Sequence, residues 1–272
     1  MSYRDILVEM DGGVAASIRV RLAAGLARKF GSRLIGVFAK ARIPPPYLPS
    51  ESALGLTTAQ VKRIYDAYDQ TVRTASETAR AAFESVAADA GVQSDWHELD
   101  ATGLEDLIDC ARRIDLVVAS AEGGPFLSTA KLAISSGSPV LIAPEAPVSG
   151  IGKHVLVAWN GSREAARALR ASWPFLMAAE QVHVLVVSRG GLGGPDGFLQ
   201  RHFEHHGVRP NLIVDPRDDA SAGEIIRDQA GALGADLVVM GLYGRSRLEE
   251  VILGGASREM LKHGAIPLLI SH

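Results

Sequence analysis

At 272 residues the chain is long enough for two ordinary domains, and 47% hydrophobic with 22% charged residues is globular composition, not disorder. A formal net charge of −3 offers no basic face for nucleic acid, and the single cysteine, Cys110, excludes an intrachain disulfide and any multi-cysteine metal site. The opening MSYRDILVEMDGG reaches charge too soon for a signal peptide, and no apolar run approaches the ~18 residues of a membrane helix, so a cytoplasmic protein with no membrane partner is expected.

In chain order, the first apolar run is DILVEMDGG (Asp5–Gly13), a short buried-type strand that ends in an acid and glycine. An alanine- and arginine-rich helix over Val14–Phe30 follows, and then a strand, RLIGVFA (Arg33–Ala39). From about Lys40 to Ala90 runs an insert that contains PPPYLP and continues as a long helix, with Val61, Ile64, Tyr65 and Tyr68 as its packing stripe. A third strand lies around DWHEL (Asp95–Leu99), and the helix of TGLEDLIDCARR places Cys110 between apolar neighbours, as core. IDLVVAS (Ile114–Ser120) and the proline-led SPVLIAP (Ser138–Pro144) close this half. The proline- and glycine-bearing PEAPVSGIGK (Pro144–Lys153) reads as a linker between residues 1–146 and residues 151–272.

Beyond the linker the series repeats. HVLVAWNGS (His154–Ser162) matches the opening strand, Arg163–Met177 the first helix, and QVHVLVV (Gln181–Val187) the second strand. NLIVD (Asn211–Asp215), the helix of SAGEIIRDQAGA, ADLVVMG (Ala235–Gly241) and IPLLISH (Ile266–His272) match the rest in order. Strands apolar throughout, alternating with helices, predict parallel strands covered on both faces. The fold class is therefore α/β: two tandem doubly wound, Rossmann-like parallel-sheet domains.

Such sheets bind ligands beyond the carboxyl ends of their strands, near the point where strand order reverses. Three features of the second half converge there: Asn160-Gly161, Val187-Ser188, and GLYGRSRLEEVILGGAS (Gly241–Ser257). Glycines let main-chain N–H groups approach a phosphate, and a helix starting around Gly255–Ser257 would add its positive N-terminal end. Ser257 supplies a hydroxyl, and Arg245 or Arg247 could neutralise phosphate charge.

The spacing Gly241, two residues, Gly244, nine residues, Gly254 resembles the universal stress protein family, whose ATP-binding members carry G-x2-G-x9-G followed by Ser or Thr. The resemblance covers essentially the whole chain as a tandem pair, packed as an intramolecular pseudo-dimer through the closing strands. It implies that Gly241 and Gly244 lie along ribose and phosphates, that Gly254, Gly255, Ala256 and Ser257 wrap the terminal phosphates, and that Val187 offers main-chain contacts to adenine. Any Mg or Mn would be held mainly by the phosphates. Two positions depart from the family pattern: Gly255 stands where Ser or Thr is usual, and Asn160 where the first strand ends in Asp. The first half departs further. Ser120 replaces the first motif glycine, and the connection from Ser120 to Pro139 is seven residues shorter than from Gly241 to Pro267, although Asp11 survives. One nucleotide in the second half, and none or something smaller in the first, is expected.

Competing signals are weaker. GGLGGPDG fails G-x-G-x-x-G in every register, and neither a P-loop nor a nucleophile elbow is present. His202, His205 and His206 have helical spacing for a metal, but such clusters more often form a solvated face. No acid has a motif-level claim to hold a metal for phosphoryl transfer; Glu249 and Glu250 read as a solvated face, and hydrolysis should be slow or absent. The resemblance thus implies an ATP-binding stress-response or signalling module, with a homodimer plausible. The alternatives are a nucleotide-free scaffold for protein interaction, or a small-molecule or lipid binder using the inserted helix.

Overall fold

The structure is a computed structural model; it describes residues 2–11, 13–40, 57–99, 104–121, 129–148, 150–188, 197–242, 255–262 and 265–272. The first half runs β1 (Asp5–Met10), α1 (Val14–Phe30), β2 (Arg33–Ala39), α2 (Thr58–Ala90), β3 (Ser94–Leu99), α3 (Leu104–Ala111), β4 (Leu116–Ser120), α4 (Thr129–Ser136) and β5 (Val140–Ala143). The second runs β6 (His154–Ala158), α5 (Arg163–Leu176), β7 (Gln181–Val187), α6 (Gly197–His205), β8 (Asn211–Asp215), α7 (Ala222–Ala232), β9 (Leu237–Gly241), α8 (Gly255–Lys262) and β10 (Leu268–Ser271).

Within each half every strand pair is parallel, and the two halves join into one ten-stranded sheet of order β3-β2-β1-β4-β5-β10-β9-β6-β7-β8. The junction is the antiparallel pair of the two closing strands, with Leu141 opposite Leu269 at its centre. The same strand in both copies meets itself, as at an isologous dimer interface. The pseudo-dimer is therefore built in, and sheet hydrogen bonds cross it.

Strands apolar on both sides need two covering layers. One layer is α1, α2, α5 and α6, whose Val20, Phe83, Trp173 and Phe203 pack with Ile6, Val8, Val155 and Val184. The other is α3, α4, α7 and α8, whose Ile108, Ala133, Ile225 and Met260 pack with Leu7, Val117, Leu156 and Val238. The repeat extends to polar detail. The aspartate before the fourth strand of each copy ties down the start of the first: Asp115 accepts from the N–H groups of Arg4 and Asp5, and Asp236 from those of Gly152, Lys153 and His154. Both satisfy strand-end donors that the ladder leaves over.

The inserted helix α2 has 33 residues, opened by a Thr57–Gln60 capping box and stopped by Gly91 at φ 65°. Only Ser76, Ala79, Phe83 and Ala87 of it are buried, so its later turns cover β2 and β3. Val61, Tyr65 and Tyr68 are half-buried, while Ile64 turns to solvent. Cys110 packs against the core half-buried, and that burial pushes its thiol pKa up. Tyr3 and Phe175 each meet Phe30 edge-to-face in a cluster between the halves, and the Tyr3 hydroxyl donates to the Ala171 carbonyl at 2.6 Å. Among the described residues, no helix is long and apolar enough to cross a membrane.

Acid should loosen the second half in two stages. His183 on β7 is buried, its Nδ1 lies 3.3 Å from Asn211 Nδ2, and its Nε2 has no partner. Burial first, and then His154, lower its pKa; burial also leads in lowering that of His202. A histidine with a depressed folded pKa contributes stability that is complete above its ordinary value and lost as pH falls below about 6.5. Asp215, held at about 2 mainly by Arg217 with help from Gln229, contributes stability present above about pH 4 and lost on approach to pH 2. Denaturant midpoints should therefore begin to fall below about pH 6.5 and fall further below about pH 4. His183→Leu should flatten the first decline; an unchanged slope would assign it elsewhere.

Candidate functional site

The strand order reverses around β6, flanked by β9 on one side and β7 on the other. Their carboxyl ends bring Gly241, Asn160 and Val187 to one edge of the sheet, spanning about 10 Å at the usual interstrand spacing. α8 follows β9 and leads into its parallel neighbour β10, so its N-terminus opens at this same edge. There Gly255 is exposed, Ala256 half-buried, and Ser257 buried at 4% exposure. Free N–H groups of a helix's first turn attract anions. Gly244, Arg245 and Gly254, with Arg247, Glu249 and Glu250, lie outside the described residues.

The local sequence explains how each residue is set. Gly161 takes a left-handed φ of 71°, turning the chain sharply from β6 into α5. Asn160 Oδ1 accepts from Ser162 N at 3.0 Å, and Ser162 Oγ caps α5 by accepting from Ala165 N. Asp11 does the same in the first half, accepting from Gly13 N at 2.8 Å. The acid or amide that ends the first strand thus shapes the turn in both copies. Asn160 Oδ1 keeps a second lone pair for a ligand hydroxyl. Val187 pairs with Asp215 on β8, and Ser188 N continues the ladder to the Asp215 carbonyl.

Gly241 has a packing reason to be glycine. A Cβ placed there would stand 2.5 Å from Ala165 N and 2.6 Å from the Glu164 carbonyl carbon. The first turn of α5 lies directly against the end of β9, and no side chain fits between them. By contrast, among the described residues a Cβ on Gly255 would meet nothing within 4 Å, at the position where the resemblance places phosphate.

Two features at these edges are absent from the sequence reading. Glu164 is buried beside Gly241; burial pushes its carboxyl upward, but its own main-chain N–H and Arg163, 2.9 Å away, win and hold it below its ordinary value. This fixed negative charge opposes a second anion at the end of β9, whereas a helix N-terminus such as that of α8 attracts one. In the first half Arg19, at 1% exposure, donates Nε to the Glu9 carbonyl oxygen at 2.7 Å and an Nη to Asp11 at 2.8 Å. Glu9 is itself 3% exposed; burial raises its pKa against the pull of Arg19 and a hydrogen bond from the Ser120 main chain. The matched positions in the second half, Ala158 and Ala168, are small and neutral. An interrupted apolar run, with Glu9 inside DILVEM and Arg19 on the inward face of the next helix, was the signal. The clustered histidines also have a place: His206 stacks on Trp173 with centroids 3.9 Å apart, and His202 meets the same ring edge-on.

A comparison with family models matches residues 214–272 to the one described as "Universal stress protein family". No curated protein matches the sequence. Among solved structures, a universal stress protein from Archaeoglobus fulgidus DSM 4304 is 14% identical and superposes over 98% of this chain and 97% of that one, with a TM-score of 0.72. A functionally unknown protein from Pseudomonas aeruginosa PAO1 is 16% identical over 99% of this chain and 92% of its own, with a TM-score of 0.57. A universal stress protein from Archaeoglobus fulgidus in complex with dAMP is 19% identical over 52% of this chain and 97% of its own, with a TM-score of 0.34. Residues 214–272 thus match the universal stress protein family model, within a fold that a universal stress protein shares over nearly the whole chain.

Proposed function

We propose that the second half, residues 151–272, binds one adenine nucleotide, ATP, at the carboxyl edge of β6, β7 and β9. The first half, residues 1–146, binds none. Nucleotide occupancy would set the conformation of the connection from Gly241 to Ser257, making the protein a cytoplasmic stress-response or signalling module with little turnover. The observation that carries this reading is the start of α8. Gly255, Ala256 and the buried Ser257 present main-chain donors at the switch-point edge, at the end of the G-x2-G-x9-G spacing. Any Mg or Mn would arrive on the phosphates; among the described residues no group of three or more His, Cys, Asp or Glu side chains is placed to hold one.

The first half supports a single site. Its own switch point holds the guanidinium of Arg19 between the Glu9 carbonyl and Asp11, where the second half has Ala168, Ala158 and Asn160. Calorimetric titration with ATP should give about one site per chain, and Gly244→Asp should abolish binding by placing a side chain and a negative charge against phosphate. No heat and no thermal shift at millimolar ATP would end the proposal. Full affinity in Gly244→Asp would move the phosphates elsewhere.

One observation favours the alternative, a nucleotide-free scaffold. Gly241 and Asn160 are both accounted for by packing and turn formation without any ligand. The same titration decides between the two.

A further inference from the structure

At the other end of the sheet, where the chain enters β6, α1 and the linker between the halves enclose a groove of about 480 Å3. Ile18, Leu22 and Leu26 of α1 face Pro147, Val148 and Ile151 of the linker, giving it an apolar floor. Its remaining walls include Arg21, Arg28, Lys29 and Lys153, and no acid. Lys153 is spoken for, 2.8 Å from Glu180. Arg21 and Arg28 are exposed and stand two turns apart on one helix face; among the described residues neither has an ion-pair partner. Cations in the last turn of a helix are favoured by its dipole, which accounts for Arg28 and Lys29 but not for Arg21, in mid-helix.

Lys29 sits deeper. Its Nζ donates to the Ile151 carbonyl at 3.2 Å and lies 5.6 and 5.8 Å from the ring centroids of Phe30 and Phe175. Burial lowers its pKa; Asp236 opposes that and Lys153 adds to it, so the ammonium gains from a further anion. Gly25 completes the wall. It interrupts an alanine-rich helix where, among the described residues, a Cβ would meet nothing within 4 Å.

We infer that this groove binds an amphipathic anion, its apolar tail along Leu22, Leu26 and Ile151 and its carboxylate or phosphate head at Arg21, Arg28 and Lys29. The volume lies within the range of about 300–1,000 Å3 typical of small-molecule sites. An occupant would bridge α1 of one half and the linker to the other. The groove is separate from the carboxyl edge, so it stands or falls independently of nucleotide binding.

Titration of the full chain with octanoate and with octyl phosphate, below micelle-forming concentrations, tests this and identifies the preferred head. Inorganic phosphate and octanol serve as the two half-ligands. One amphiphile per chain is expected, with each half-ligand at least about tenfold weaker. Gly25→Trp should fill the groove and abolish binding while leaving the melting temperature and the ATP titration unchanged. The double variant Arg21→Glu, Arg28→Glu, confined to exposed side chains, should lower affinity by about tenfold or more. Failure of both amphiphiles to bind at millimolar concentration, or equal binding to Gly25→Trp, would overturn the inference. Inorganic phosphate binding as tightly as octyl phosphate would do so too, by reducing the site to surface charge.

Discussion

Arg19→Met should cost about 3–5 kcal/mol of stability, the usual penalty for leaving one member of a buried charged network alone. The substitution keeps the length and volume of the stem but removes the donors to the Glu9 carbonyl oxygen and to Asp11. Glu9 then remains 3% exposed with its main attractive charge gone. Glu9 already has a raised pKa and removing Arg19 raises it further, so the deficit appears only where the folded carboxyl of the parent protein is ionised. Stability lost to the substitution should thus be smallest in acid, where Glu9 is neutral in both proteins, and grow as pH rises through its raised folded pKa. Chemical denaturation at several pH values measures this directly. Adding Glu9→Gln should recover most of the loss, because the buried charge that needed compensation is gone. A loss independent of pH, or no recovery in the double variant, would show that Arg19 contributes through its packing alone.

Gly241→Ala should destabilise the protein by about 1–3 kcal/mol in the absence of any nucleotide, the range for forcing extra atoms into a filled interior. The obstruction is main chain, with Ala165 N 2.5 Å from the new Cβ and the Glu164 carbonyl carbon 2.6 Å away. Relief requires α5 to retreat from β9, and α5 carries Asn160 and Gly161 at its entrance. ATP affinity should therefore fall as well, as a consequence of the shift. Thermal or denaturant unfolding of nucleotide-free protein separates the two roles. Unaltered stability with lost affinity would mean that this glycine serves the phosphate and not the helix.

These two substitutions mark where reading the chain stopped. The element series was legible because each strand is a short apolar run bounded by turn residues; α1, β2, β7 and β8 have the bounds their periodicity predicts. Asn160, Val187 and Gly241 were legible as neighbours because each ends a strand of a parallel sheet, and the topology of such sheets delivers those ends to one edge. The reason Gly241 must be glycine was not legible, since it lies in the first turn of a helix more than seventy residues earlier in the chain. Nor was the Arg19 network. A charge within an apolar run looks like a lapse in pattern until a second charge, on a different element, is brought against it. The groove beside Gly25 was equally hidden, since its two walls, α1 and the linker, lie far apart in the chain.

Local patterning, then, determined the secondary structure, the duplication and the class of sheet, because strand and helix periodicities are properties of neighbouring residues. Tertiary structure alone decided that Leu141 meets Leu269 in an antiparallel closing pair, that Arg19 occupies the edge of the first half, and that α5 leaves no room at Gly241. Each of these depends on contacts between segments far apart in the chain, where shape and charge are matched only after the layers have packed.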